Sequence, residues 1–244
     1  MFKIALFFTV FGYMAADGLS DLRAALNRYD AKTTISGNLE VQTWSKQGKE
    51  GIESRGRANV HVEYGPQGLK MHWSRNFLQQ LDKETRARAD NQPPAEQALN
   101  ATWAMEMRKT NSLLNPVAEL LRTLETAKLL SEVPERFNGI QARALVFSTP
   151  LTGESQRFRR WLKDFESTVK IWIDSDGRPL GITQRTNIKA RAFIFISMEQ
   201  TREETITYAN LGDHLVAIRQ EEKQEFQGGG EYGSSRTIRT FKLQ

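Results

Sequence analysis

The chain contains three histidines and no cysteine, so any metal or nucleophile chemistry must be built from imidazole, carboxylate and hydroxyl groups. Two of the histidines fall in a patterned stretch. Ala58, Val60, Val62 and Tyr64 alternate with polar residues, Gly65-Pro66-Gln67-Gly68 turns the chain, and Leu69, Met71 and Trp73 resume the alternation. Pairing Tyr64 with Leu69 pairs Val62 with Met71 and Val60 with Trp73, and sets His61 opposite His72 on the outer face. Glu63 and Lys70 lie one pair further along. Two imidazoles and a carboxylate are zinc ligands by type. No further ligand follows in sequence and the Lys70 ammonium opposes a cation, so these side chains read as solvated sheet residues and no metal is assigned. His214 lies in an apolar run, His-Leu-Val-Ala-Ile, which suits a packed or edge residue. No Gly-x-Ser-x-Gly elbow and no His-Glu-x-x-His helix occurs, and Glu221-Glu222 sit among Gln and Lys. No catalytic residue is assigned, and the chain is not expected to be an enzyme.

Two glycine motifs are explained by turns. Gly228 to Gly233 spells Gly-x-Gly-x-x-Gly, but a dinucleotide site needs a helix after it, and here a strand pattern follows. Asp174-Ser175-Asp176-Gly177 opens like a calcium loop, yet Arg185 stands at the twelfth position where a Glu ligand belongs. No cofactor is expected. The basic aromatic run Arg157-Phe158-Arg159-Arg160-Trp161-Leu162-Lys163 has a chemistry of its own. Its rings partition into an interface while its cations meet phosphates. That makes Arg157, Phe158, Arg159, Arg160, Trp161 and Lys163 candidates for peripheral contact with a membrane or another anionic surface. An ordinary amphipathic connector has the same composition. The run would also suit base stacking, but an exported protein seldom meets nucleic acid, and none is expected as a partner.

These residues must be positioned by a sheet. In 168–184, Val169, Ile171 and Ile173 alternate with polar residues, Asp176-Gly177 supplies a turn, and Leu180 and Ile182 continue. Asp-Gly between alternating runs is a strong hairpin signal, and it predicts pairs Ile173–Leu180 and Ile171–Ile182 on one apolar face. Upstream, 19–31 reads as a helix with Ser20 as its cap, and 33–45 as a strand with Ile35, Leu39, Val41 and Thr43 on one face. The middle is helical. Segment 76–91 ends at Pro93-Pro94, and 95–109 carries Leu99, Trp103 and Met107. A helix then opens at Asn115-Pro116, with Asn as cap and Pro at the first position, and bears the stripe Val117, Leu120, Leu121 and Leu124. Leu113 precedes it and Pro134 is expected to end it. Strands are predicted at 139–148, 190–198, 204–209, 214–226 and 236–243. Strands in succession with the helices inserted as a block indicate α+β with an antiparallel sheet.

Charged residues make up 26% of the 244 and mean hydropathy is −0.54, which excludes a multi-span helical membrane protein. A net charge of +5 and a pI near 9.4 describe a mildly basic surface, solvated or facing anionic lipid or nucleic acid. Lys3, the apolar run 4–14 and the small residues at 15–18 read as a cleavable Sec-type signal over 1–18, leaving a single domain at 19–244. Without cysteine there is no lipobox, so a periplasmic protein that is not lipid-anchored is expected.

The hairpin Val-Lys-Ile-Trp-Ile-Asp-Ser-Asp-Gly-Arg-Pro-Leu-Gly-Ile-Thr and the Pro-led helix at Asn115-Pro-Val-Ala-Glu-Leu-Leu, with this element order, resemble the periplasmic lipoprotein carrier family (LolA/LolB-like). The resemblance implies an incomplete, strongly curved β-barrel, an N-terminal helix, and an inserted helical block over the concave face. It also implies an apolar cavity for a lipid or a lipidated protein. Candidate lining residues are Met71, Trp73, Leu113, Val117, Leu120, Leu121, Ile171 and Ile173. The competing readings are an envelope protein–protein interaction or assembly module with no cavity ligand, and an envelope hydrolase in which His214 or His61 meets a Ser and a carboxylate.

Overall fold

The computed structural model describes residues 17–90, 97–151, 159, 161–192 and 196–244. The segment read as an export signal lies, apart from Asp17 and Gly18, outside them. Helix α1 (Gly18–Leu26) precedes β1 (Ile35–Gln47), β2 (Ile52–Gly65) and β3 (Gly68–His72). Helices α2 (Arg75–Ala89), α3 (Gln97–Trp103), α4 (Met107–Leu114) and α5 (Val117–Thr126) follow. Strands β4 (Lys128–Phe137), β5 (Ile140–Ser148), β6 (Leu162–Ile173), β7 (Pro179–Ala192), β8 (Ile196–Leu211), β9 (His214–Gly228) and β10 (Glu231–Leu243) complete the chain. The strands form one ten-stranded sheet in the order β3-β2-β1-β10-β9-β8-β7-β6-β5-β4, antiparallel at every ladder. It is not closed into a barrel: β3 and β4 are its edges.

Alternation sets the registers. Tyr64 pairs with Leu69, Val62 with Met71 and His61 with His72, as the pattern requires. The ladder stops at His72 because Ser74 caps α2, accepting from Phe77 N at 3.2 Å. Trp73 therefore leaves the sheet and stacks on Phe77, with ring centroids 4.8 Å apart. In the second hairpin Ile171 pairs with Ile182, but Ile173 meets Pro179 instead of Leu180, across a register shift. The Asp174 carboxylate accepts from Asp176 N at 2.9 Å and from Arg178 N at 2.8 Å. Those bonds stretch the turn over 174–178, and Leu180 becomes the extra residue of a bulge. Gly177 has φ 78°, and a Cβ there would lie 2.5 Å from Asp21 O of α1, so no other residue fits.

Several expected boundaries move. Helix α1 is capped by Asp17, which accepts from Leu19 N, and it ends at Leu26, well short of Ala31. The expected helix over 95–109 is two helices broken at Ala104 and Met105. Asn115 does not cap α5; its amide donates to the Tyr64 hydroxyl at 2.7 Å, and Pro116 takes the cap position. Pro134 ends no helix. It lies inside β4, paired with Arg143, and an edge strand tolerates a residue that cannot donate. The strand expected at 190–198 is divided between β7 and β8, and 204–209 lies within β8.

One apolar core unites the sheet and the helices, joining Leu39, Val60, Val169, Ile171 and Phe241 to Leu22, Leu26, Leu113 and Leu124. Helix α3 packs on β2 and β1, α4 on β9, and α1 on α5 and β5. Helix α1 is also tied by charge. Arg143 reaches Asp21 at 2.6 Å and Glu132 at 3.3 Å, while Gly18 N donates to Glu132 at 3.1 Å. Helix α3 approaches the sheet closely at Gly56, where a Cβ would fall 2.6 Å from Ala101 N and 2.5 Å from Thr43 Oγ1. A Gly56→Ala chain must push α3 off the sheet, at a cost of about 1–3 kcal/mol. A urea unfolding midpoint unchanged from that of the parent would show that α3 is not seated there.

Candidate functional site

The alternation that builds the core also carries polar residues onto its face. Arg239 pairs with Val41 of β1 and Gln220 of β9, and Thr237 pairs with Glu222. Across the next ladders Gln220 pairs with Ile206 and Glu222 with Glu204, then Ile206 with Ile182 and Glu204 with Gln184. Residues opposite one another share a face, so Arg239, Gln220, Glu222, Glu204 and Gln184 continue the face of the buried Val41 and Ile182.

Arg239 is only 2% exposed. Its Nε donates to Ala104 O and its Nη1 to Gln220 Oε1, each at 3.0 Å, and Nη1 lies 3.7 Å from Glu222. The Gln220 amide donates to Glu204. Arg202 Nε stands 3.0 Å from Glu222 and its Nη2 3.5 Å from Glu204. The buried Arg239 and the exposed Arg202 together balance the two partly buried carboxylates, and a buried guanidinium is retained only when so paired. Burial raises the Glu204 carboxyl above its ordinary value; Arg202 opposes the rise and Glu222 adds to it. Burial also raises the Tyr208 phenol, with smaller contributions from Glu204 and Glu119.

Beside this network, α4 and α5 and strands β7–β9 enclose a groove of about 500 Å³. Leu113, Leu120, Ile182, Ile206 and Tyr208 line part of it, and Glu119, Glu204, Glu222 and Arg202 another part. Arg108, Lys109 and Arg122 also contribute, and none of the three has an ion-pair partner among the described residues. A second cavity of about 420 Å³ continues along the sheet, sharing Glu119, Thr123, Gln184, Arg202 and Glu204. Such a volume falls in the range of small-molecule sites, about 300–1,000 Å³. The mixed lining suits a molecule with an apolar body and a charged end.

The eight residues expected to line one apolar cavity are dispersed. Leu113 and Leu120 line the groove. Val117 and Leu121 are partly buried against the core, as are Met71 and Trp73 near edge strand β3. Ile171 and Ile173 are fully buried in packed core. Of the basic aromatic run, Arg157, Phe158 and Arg160 lie outside the described residues; Arg159 and Lys163 are exposed and Trp161 is partly buried. The network itself was missed from sequence. Its signal is polar residues at the inward positions of β8, β9 and β10, visible only once each strand's partner is known.

Among the described residues no hydrogen bond joins a histidine to a serine; the His214 ring bonds Thr33 O. His61 and His72 face each other with ring centroids 5.8 Å apart, and their Nε2 atoms lie 3.9 and 3.8 Å from Glu63 Oε1, beyond hydrogen-bond reach. Among the described residues no group of three or more His, Asp or Glu is placed to hold a metal. His214 is 1% exposed, and its Nε2 lies 2.9 Å from Thr33 O. A carbonyl only accepts, so Nε2 carries the hydrogen. The neighbouring Asp213 accepts from the Thr33 hydroxyl and from Thr33 N and Lys32 N, bonds that hold its carboxyl well below the usual range. This pair clamps the α1–β1 connection to the β8–β9 turn.

No family model matches the chain, and comparison with curated proteins and with solved structures yields no match.

The partly buried Glu204 has a signature in solution. Its folded-state pKa lies above the ordinary 4.5, so as pH rises past that value the unfolded chain releases its proton first, and stability falls. Glu204→Gln keeps an acceptor for Gln220 and removes the titration. Its Tm should exceed that of the parent near neutral pH, with the gap closing toward about pH 4. A gap independent of pH would place the carboxylate in water.

Proposed function

We propose that the protein is an exported, non-catalytic binding protein that holds a lipid or a lipidated ligand, seated in the groove between α4–α5 and β7–β9. In this reading the open sheet is an incomplete, curved barrel whose concave face α2–α5 cover, the arrangement of the periplasmic lipoprotein carriers. The observation that carries it is the groove's divided lining, aliphatic in part and charged in part. Each methylene buried there contributes about 0.8 kcal/mol, so an acyl chain binds without a motif, while Arg108, Lys109 and Arg122 supply cations for an anionic end. Export is supported by the segment 1–18. Among the described residues no helix is long and apolar enough to cross a membrane.

A second reading, an envelope assembly module, is favoured by edge strand β4, where Leu130 and Val133 are exposed at 55% and 42% beside unpaired backbone groups.

Native mass spectrometry of protein purified from the envelope, and titration with a fluorescent fatty acid, separate the two. Co-purifying lipid and saturable binding are expected, with Ile206→Trp, which fills the groove, weakening affinity by at least about tenfold. Absence of both lipid and fatty-acid binding would remove the carrier reading and leave the assembly module.

A further inference from the structure

The break between α3 and α4 presents two large apolar side chains to solvent. Trp103 is 71% exposed and Met107 64%, among the most exposed large apolar residues described. Single exposed apolar residues are ordinary, but these two are held in place. Between them, Ala104 and Met105 are 9% and 5% exposed and belong to the core. Ala104 N donates to Ala101 O and Met105 N to Thr102 O, each at 3.0 Å, and Ala104 O accepts from the buried Arg239 at 3.0 Å. The backbone is fixed from below, so Trp103 and Met107 cannot fold inward without breaking the bond to a buried guanidinium.

The charge around the break is positive. Glu106 is exposed between the two apolar residues, and Arg108 and Lys109 follow, neither with an ion-pair partner among the described residues. Tryptophan beside unpaired cations suits an anionic bilayer surface: the indole settles at the headgroup level and the cations meet phosphates. Arg108 and Lys109 also line the groove, so a surface docked here lies next to its opening.

We propose that the α3–α4 break is a peripheral docking site for an anionic phospholipid bilayer, with Trp103 and Met107 as the inserted side chains and Arg108 and Lys109 as the headgroup contacts. The site is independent of whether the groove holds a lipid.

The absence of cysteine allows a local test on the full chain. Met107→Cys carrying a polarity-sensitive fluorophore should shift to the blue with phosphatidylglycerol-containing vesicles and not with phosphatidylcholine alone. The same label at Gln67→Cys, in the β2–β3 turn, should not respond. In vesicle flotation, the Trp103→Ser/Met107→Ser chain should partition at least about tenfold more weakly than the parent, and added salt should weaken the parent. Both replaced residues are exposed, so the variant should keep its circular dichroism spectrum and its fatty-acid binding. A Met107→Cys label indifferent to anionic vesicles, or equal flotation of the double variant and parent, overturns the docking site. Loss of fatty-acid binding in the parent would instead strike the groove reading and leave this one standing.

Discussion

The sheet depends on one ladder, in which the first strand of the chain pairs with the last. Gly37 lies opposite Leu243 and Gln47 opposite Gly233, with β1 and β10 in continuous register between them. Without that ladder the strands separate into a three-stranded meander, β3-β2-β1, and a seven-stranded one, β10 to β4. Every other ladder joins neighbours in sequence, and all but β5–β6 close a short loop. The β1–β10 ladder closes almost the whole chain, so its entropy cost is met only when the apolar pair Leu39 and Phe241 and the core behind it form together.

The same seam carries Arg239, opposite Val41 and under the break between α3 and α4. A guanidinium so deeply shielded is tolerable only with its donors used, and Ala104 O, Gln220 and Glu222 use them. The residue thereby joins three parts of the molecule: the central ladder, the polar network across β8 and β9, and the helices. The helices leave from edge strand β3 and return to edge strand β4, so their chain must travel from one edge of the sheet to the other. Packing of α3 on β2, of α4 on β9 and of α1 on α5 marks that path.

A groove opens where the helices do not fill the face. Over β1 and β2, glycine and alanine let α3 approach closely and the space is packed. Over β7–β9 the inward side chains are longer and charged, α5 stands off, and a groove remains. Apolar core, charged network and groove are three consequences of one alternating pattern meeting different residues along the sheet.

Much of this architecture is legible in the residues. Alternation with a period of two identifies the β2–β3 register, and Asp176-Gly177 locates the β6–β7 turn, because those signals are local and their pairing closes short loops. The succession of strands around a helical block also identifies α+β with an antiparallel sheet. Strand β4 escapes such reading because a single residue separates it from the end of α5, and Pro134 looks like a terminator. Only its place at a sheet edge makes that proline acceptable. Glu204, Gln220, Glu222 and Arg239 look like solvent-facing residues for as long as each strand is read alone. The sequence by itself determined which segments alternate and where the chain turns. The tertiary structure alone decided that the first and last strands are neighbours, and so which polar side chains are shut away from water and must answer one another's charge.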